Sequence, residues 1–311
     1  MPIAIIDLGT NTFQLLIAQI HEKTFKVLHE ESKAAKIGKG GISDGFISEE
    51  AVERALLILK KYQETAQSFE ITPAEIIAIA TSAVRNANNK EEFCQRVLQE
   101  TGISIQVIDG EREAHLIYEG VKLSTPIGKN PAMIMDIGGG SVEFIIGNED
   151  RIFWKQSFEI GGQRLMDKFM TTDPISPKSI MSLYAYLEQQ LLPLTNAVHQ
   201  YAPETLIGSA GSFETLIDIF YQKSKNRFPS PEEVTFDLPK AAFYDAFQQI
   251  MTKNRAERMV IKGMIELRVE MIVVGVCLID FVLKKYEIEA IKVSNYALKE
   301  GVLNGKLRTE N

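Results

Sequence analysis

Two stretches of this chain align with each other without a gap, IIDLGTNTFQLLI (Ile5 to Ile17) and IMDIGGGSVEFII (Ile134 to Ile146). In each, an apolar run delivers an aspartate (Asp7, Asp136), a glycine two residues on (Gly9, Gly138), three small or polar residues and a second apolar run. A strand that ends in Asp-x-Gly places a carboxylate at its exposed tip, and the turn that follows can present its backbone N–H groups as a nest for anions. Two such turns in one chain predict two similar half-molecules facing each other across a phosphate.

The alignment sets Gln14 against Glu143, and Glu143 interrupts the otherwise apolar run SVEFII. A second strand running antiparallel beside the first would let Asp136 and Glu143 flank one cation. Hard oxygen ligands of this kind suit Mg²⁺ or Mn²⁺, which a substrate's phosphate oxygens would also hold. Three consecutive glycines, Gly138, Gly139 and Gly140, followed by Ser141, cost backbone entropy unless a ligand must approach closely. In the first copy the same positions are Gly9, Thr10, Asn11 and Thr12.

Other anion sites are expected where a strand turns into a helix. ATSAVRNANN runs through Thr81 and Ser82 into a helix with Arg85 one turn in, and GSAGSFE offers Ser209, Gly211 and Ser212 to a phosphate or a nucleoside. GEREAHL puts Glu111 and Glu113 at a helix start, where acids also favour the helix dipole. Residues two apart point about 200° away from each other, so only one can face a cleft. Familiar nucleotide motifs fail. There is no GxxxxGK[ST], and the GxGxxG register is broken by Glu143 in one place and by Ser43 in the other.

The elements needed to position these residues are legible. IAIIDLG, TFQLLIAQI and FKVLHEESKAAKIG read as an antiparallel meander. SEEAVERALLILKKYQ, with Ser48 as N-cap and an i, i+3, i+4, i+7 stripe, reads as an amphipathic helix. EIIAIAT, a helix ended by Gly102, ISIQVID and EREAHLIYEGVKL complete the order βββαβαβα. The second half repeats the opening with AMIMDIG, SVEFIIG and RIFWKQSFEIG. It then continues through helices, the turn at GSAGS, a structureless loop at QKSKNRFPSPEEVTFD, helices over Phe243 to Lys253 and Glu257 to Tyr286, the strand AIKVSN and the helix ALKEGVLNGKL. The boundary is expected near Ser124 to Ala132. This gives a first domain over 1–125, to which the helix 297–308 returns, and a second over 126–296.

Composition narrows the function classes. A length of 311 residues with 45% hydrophobic and 24% charged residues is ordinary for a two-domain globular protein. A net charge of −7 gives no global field to attract nucleic acid or anionic membrane. The two cysteines form no CxxC and the four histidines no HxxxH, which argues against zinc. The apolar run Met271 to Leu283 is too short to span a bilayer, and the N-terminus lacks a basic signal-peptide region, so a cytoplasmic location is expected.

With DLGTN, ATSAVR, EREA, DIGGGSVE, GSAGS and ALKEGVL in this order, the chain resembles the Ppx/GppA family of exopolyphosphatases and guanosine pentaphosphate phosphohydrolases. The match runs over residues 3 to 305 and includes KIGKGG, SFEIGGQRLMDKF and TTDPIS. The resemblance implies two RNase H-like domains of the actin, Hsp70 and sugar-kinase superfold, with the active site in an interdomain cleft. It also implies that Glu113 is the general base, against the helix-dipole reading, and that Asp136 and Glu143 are metal carboxylates, with Asp7 joining them. Arg85 becomes a phosphate ligand, and Gly9–Thr12 and Gly138–Ser141 the two phosphate loops. Val142 stands where many relatives have threonine, and Thr10 and Thr12 replace serines. Arg258 and Arg268 lie where relatives supply cations to polyphosphate. Longer relatives carry further helical domains, so the chain is expected to be the short form, and a homodimer is reasonable.

The implied reaction is hydrolysis of a terminal phosphoanhydride, of inorganic polyphosphate or of the 5′-γ-phosphate of guanosine pentaphosphate (pppGpp). A kinase-like ATPase of the same superfold and a non-catalytic alarmone sensor are the alternatives.

Overall fold

The computed structural model describes residues 2–21, 24–41 and 45–309. Ser43, the residue that breaks one glycine register, lies outside them. The chain divides into two compact units, one formed by Met1–Gly120 with Leu298–Asn311 and the other by Val121–Ala297.

The first unit is built on β1 (Pro2–Leu8), β2 (Thr12–His21) and β3 (Thr24–Ala34), the antiparallel meander expected from the three β-rich runs. β4 (Ile77–Ala80) and β5 (Ile105–Val107) extend the sheet parallel to β1, in the order β3-β2-β1-β4-β5. Helix α1 (Glu49–Gln67) starts where Ser48 Oγ accepts from the Ala51 N–H. Its stripe of Val52, Ala55, Leu56 and Leu59 is buried on the sheet. The buried Tyr62 hydroxyl donates to the Phe13 carbonyl at 2.8 Å, tying α1 to the strand that follows the first turn. A 3₁₀ turn at Pro73–Glu75, the short α2 (Ser82–Arg85), α3 (Lys90–Thr101) and α4 (Gly110–Ser124) complete the crossovers. α3 stops at Gly102, whose φ of 70° is left-handed.

The second unit repeats the plan. β6 (Ala132–Ile137), β7 (Val142–Gly147) and β8 (Ile152–Phe158) form the meander, and β9 (Thr205–Ser209) lies parallel to β6. Helices α5 (Gly162–Phe169), α6 (Pro177–Gln190) and α7 (Leu192–Tyr201) connect them. After α8 (Gly211–Ser224) come β10 (Thr235–Asp237), α9 (Lys240–Thr252), α10 (Arg255–Met259), α11 (Ile272–Lys285) and β11 (Ala290–Ser294). The strand order β10-β11-β9-β6-β7-β8 contains that of the first unit with one antiparallel edge strand added. Both units are thus RNase H-like.

Two expectations change. Part of the expected loop before α9 is the strand β10, which adds antiparallel to β11. The helix expected over Glu257 to Tyr286 is interrupted: α10 ends at Met259 and α11 starts at Ile272. Gly263, between them, has a φ of 94°, and a Cβ there would lie 2.6 Å from the Asp218 carbonyl carbon, so the chain crosses close over α8 in a turn only glycine fits. The apolar run is a buried helix, with every residue from Ile272 to Leu283 inside the core. Among the described residues no helix is long and apolar enough to cross a membrane.

The last helix, α12 (Leu298–Thr309), belongs to the first unit. Gly301 packs so closely on α4 that a Cβ would fall 1.8 Å from the Leu116 carbonyl oxygen. Asn304 donates to Glu119 at 2.8 Å, and the buried Lys299 pairs with Glu30 and Glu300.

Candidate functional site

In each unit the residues singled out in the sequence gather at the carboxyl ends of the parallel strands, where open α/β sheets bind ligands. In the second unit a polar row crosses four strands. Asp136 faces Glu143 in the antiparallel pair, Ser209 stands beside Asp136, and Ser157 opposes Glu143. Ser209 Oγ donates to Asp136 Oδ2 at 2.6 Å, and Ser157 Oγ donates to Glu143 Oε1 at 2.6 Å. Both carboxylates are buried, Asp136 at 8% and Glu143 at 1% exposure. Two cross-strand carboxylates out of water repel each other and lose hydration, a cost that a shared cation would offset. The donor set of hard oxygens fits a Mg²⁺ or Mn²⁺ ion. The equivalent row in the first unit is Ile79, Asp7, Gln14 and Ser32, which has one carboxylate where the second unit has two.

The two turns are held alike. Gly9 N–H donates to Thr12 O and Gly138 N–H to Ser141 O, each at 3.1 Å. A Cβ on Gly9 or Gly138 would come within 2.8 or 3.0 Å of that carbonyl oxygen, which explains Asp-x-Gly in both copies. In the first turn the Thr10 and Asn11 carbonyls accept from the N–H groups of Gly38 and Lys36. In the second, the carbonyls of Gly138, Gly139 and Gly140 accept from Gly162, Gln163 and Gly161. The segment after the third strand laces the turn in both units. None of the three glycines is left-handed. A Cβ on Gly161 would fall 2.4 Å from the carbonyl carbon of Gly140. Thr12 Oγ1 is buried without a hydrogen-bond partner among the described residues.

At the ends of β4 and β5, Arg85 and Glu113 form one constellation. Arg85 Nη1 donates to Glu113 Oε2 at 2.6 Å and to the Ile108 carbonyl at 3.3 Å. Their side chains are 15% and 7% exposed. Glu111, two residues earlier on α4, is exposed. The geometry therefore separates the two acids that the spacing could not, burying one against an arginine and leaving the other in solvent. A half-open cavity of about 380 Å³ adjoins Arg85, lined also by Lys90, Cys94 and Ile108.

The β9–α8 turn brings Ser209 to Asp136 and sets Gly211 against Arg268, whose guanidinium carbon would lie 1.9 Å from a Cβ at Gly211. Ser212 is buried at the first turn of α8. Arg258 takes a different place from that expected. It is 1% exposed and bonds the carbonyls of Val269 and Lys253 and the Asp173 carboxylate, so it staples the segment between α10 and α11. Val142 is fully buried in β7 and its side chain packs in the core. Ser157 and Arg164 had no assigned role in the sequence. Arg164 Nε donates to the Gly140 carbonyl at 2.9 Å, and the only sequence signal for it is its place after the paired glycines of GGQR.

Paired RNase H-like units, each with an Asp-x-Gly turn at the carboxyl edge of its sheet, are the architecture of the actin, Hsp70 and sugar-kinase superfold. Within that class the chain belongs to the Ppx/GppA phosphatase family, whose profile matches residues 16–310. It is similar to the crystal structure of an exopolyphosphatase from Cytophaga hutchinsonii, at 44% identity and a TM-score of 0.95 over 99% of this chain and 98% of that one. A Ppx/GppA family member from Aquifex aeolicus is 26% identical with a TM-score of 0.81, covering 100% and 99% of the two chains. A bifunctional 3-dehydroquinate synthase/phosphatase from Fusobacterium nucleatum is 31% identical over 97% of this chain and 46% of its own, so the chain spans about half of that relative's length.

Proposed function

We propose that this protein is a metal-dependent phosphoanhydride hydrolase that releases terminal orthophosphate from inorganic polyphosphate, with the 5′-γ-phosphate of pppGpp as a related substrate. The observation that carries the reading is the ion pair of Arg85 with the buried Glu113 at the carboxyl edge of the first sheet. A water oxygen attacks the terminal phosphorus, the bridging P–O bond breaks, Glu113 takes the water's proton, and the shortened chain leaves with the negative charge. While Arg85 holds Glu113 Oε2, the guanidinium competes with a proton for that oxygen. An incoming phosphate competes with Glu113 for the Arg85 guanidinium, so substrate binding loosens the pair. Within each unit the turn amides, over Gly9–Thr12 in the first and Gly138–Ser141 in the second, would take up charge on phosphate oxygens, with Ser209, Gly211 and Ser212 as further contacts in the second.

Asp136 and Glu143 would hold Mg²⁺ or Mn²⁺, and Asp7 is the first unit's own metal candidate; when bound, the metal neutralises phosphate charge and orients the terminal group. The similarity to an exopolyphosphatase over nearly the whole chain supports the substrate class. The test is orthophosphate release from short polyphosphate, long polyphosphate, pppGpp and ATP under one Mg²⁺ condition, with and without a phosphate acceptor. Release from polyphosphate without an acceptor is expected. Transfer only to an acceptor, or binding of pppGpp with no turnover of any substrate, would replace the hydrolase with a kinase or a sensor.

A further inference from the structure

The three glycines of the second turn form a backbone that could flip its peptide groups at little cost, and a flipped peptide would point a carbonyl oxygen at the phosphate. In a trans peptide the C=O of one residue and the N–H of the next point in opposite directions. The Gly138, Gly139 and Gly140 carbonyls are all captured by the start of α5, so the N–H groups of Gly139, Gly140 and Ser141 must point away from α5. Neither Gly139 N–H nor Gly140 N–H has a backbone acceptor among the described residues. The donors at the N-terminus of α5 are in turn spent on these carbonyls, which removes that helix end as an anion site of its own.

Arg164 adds a charged donor to this clamp. Its Nε bonds the Gly140 carbonyl, the same oxygen that accepts from Gly161 N–H at 3.2 Å, while Nη2 is anchored by Glu159 at 3.1 Å. The side chain is 21% exposed and lies on the α5 side of the turn. The first unit has a parallel device one step removed. Arg54 Nε and Nη2 donate to the carbonyls of Ala35 and Lys36, which steadies the segment whose Lys36 N–H holds Asn11 O.

We propose that Arg164 is a positioning residue that fixes the polarity of the glycine turn, holding its carbonyls toward α5 so that only amide N–H groups meet the substrate. The inference rests on the reading of this turn as a phosphate nest. Arg164→Gln and Arg164→Lys separate it from a merely structural role. Amide shifts of Gly139, Gly140 and Ser141 are followed by NMR during titration with inorganic phosphate and with tripolyphosphate, beside the kcat and KM for phosphate release and the thermal midpoint. Wild-type protein should show phosphate-dependent shifts at these three amides. Arg164→Gln should weaken them and raise KM about tenfold, the size of one lost charge-assisted bond, with the midpoint little changed. Arg164→Lys should recover part of the loss, since an ammonium can still donate to the Gly140 oxygen. Unchanged shifts and KM in Arg164→Gln would overturn the inference, as would a fully active wild type whose turn amides ignore phosphate. A wild type that hydrolyses nothing would refute the functional reading alone, because the phosphate titration still reports on the turn.

Discussion

Replacing Glu113 by glutamine separates its chemistry from its structural part. The amide oxygen can still accept from Arg85, but the charge is gone. A charge-assisted hydrogen bond is worth about 1.5–3 kcal/mol against about 1 kcal/mol for a neutral one, so roughly 0.5–2 kcal/mol of stability should be lost. Stranding Arg85 raises this toward the cost of breaking a buried pair, about 3–5 kcal/mol, but Arg85 keeps the Ile108 carbonyl and remains 15% exposed, which favours the lower figure. With a typical folding stability of about 5–15 kcal/mol, the variant stays overwhelmingly folded. Any fall in rate must then come from the site, and loss of a general base costs about 10²–10⁴. Denaturant unfolding should register the first effect, and single-turnover phosphate release from tripolyphosphate the second. Glu111→Gln, on the exposed position, should be close to wild type in both. A folded Glu113→Gln that keeps its rate within tenfold of wild type would show that the Arg85–Glu113 pair is structural and that the base lies elsewhere.

Asp136→Asn and Glu143→Gln should each raise the Mg²⁺ concentration needed for half-maximal activity, because each removes an anionic oxygen ligand; metal titrations identical to wild type in both variants would exclude the pair as the metal site. Gly301→Ala should lower the denaturation midpoint, since its Cβ would meet the Leu116 carbonyl oxygen at 1.8 Å and forced separation of packed elements costs about 1–3 kcal/mol. Burial, with help from Glu214, pushes the Asp218 carboxyl up to about 6. The folded state therefore keeps a proton that the unfolded chain releases from about pH 4, and stability falls as pH rises through about 6. Asp218→Asn should stabilise the protein at pH 7.5 by about 1 kcal/mol, after discounting for partial solvent exposure, and leave it unchanged near pH 3. An equal effect at both pH values would remove Asp218 as the source.

The repeat was the most legible part of the chain because it is written twice. The apolar runs on either side of Asp7 and Asp136 marked both meanders, and an antiparallel second strand was enough to bring Glu143 beside Asp136. Helix ends such as Ser48 and Gly102 were readable because capping is local. The break at Gly263 was not, because it depends on the backbone of α8 passing beneath it. The same limit applied to the acids of α4. Spacing showed that only one of Glu111 and Glu113 can face inward, but choosing between them needs Arg85, which arrives from another crossover. Arg258 illustrates the converse: a cation in a promising segment proved to be buried among carbonyls, which composition does not disclose. Arg164 escaped notice because its partner is a carbonyl oxygen, a group every residue has.

The return of α12 to the first unit bears on how the protein is made. The second unit is one continuous stretch and can fold as it leaves the ribosome. The first cannot be completed until Gly301 reaches the Leu116 carbonyl, after all of Val121–Ala297 has been synthesised. At about 5–20 residues per second that delay is roughly 10–35 s. Through this interval α4, which carries Glu113, lacks the helix it packs against, and its apolar face stays open to solvent or chaperones. A stalled or truncated chain would then carry a finished second unit and an α4 without its packing partner, leaving the Arg85–Glu113 pair on an unfinished helix.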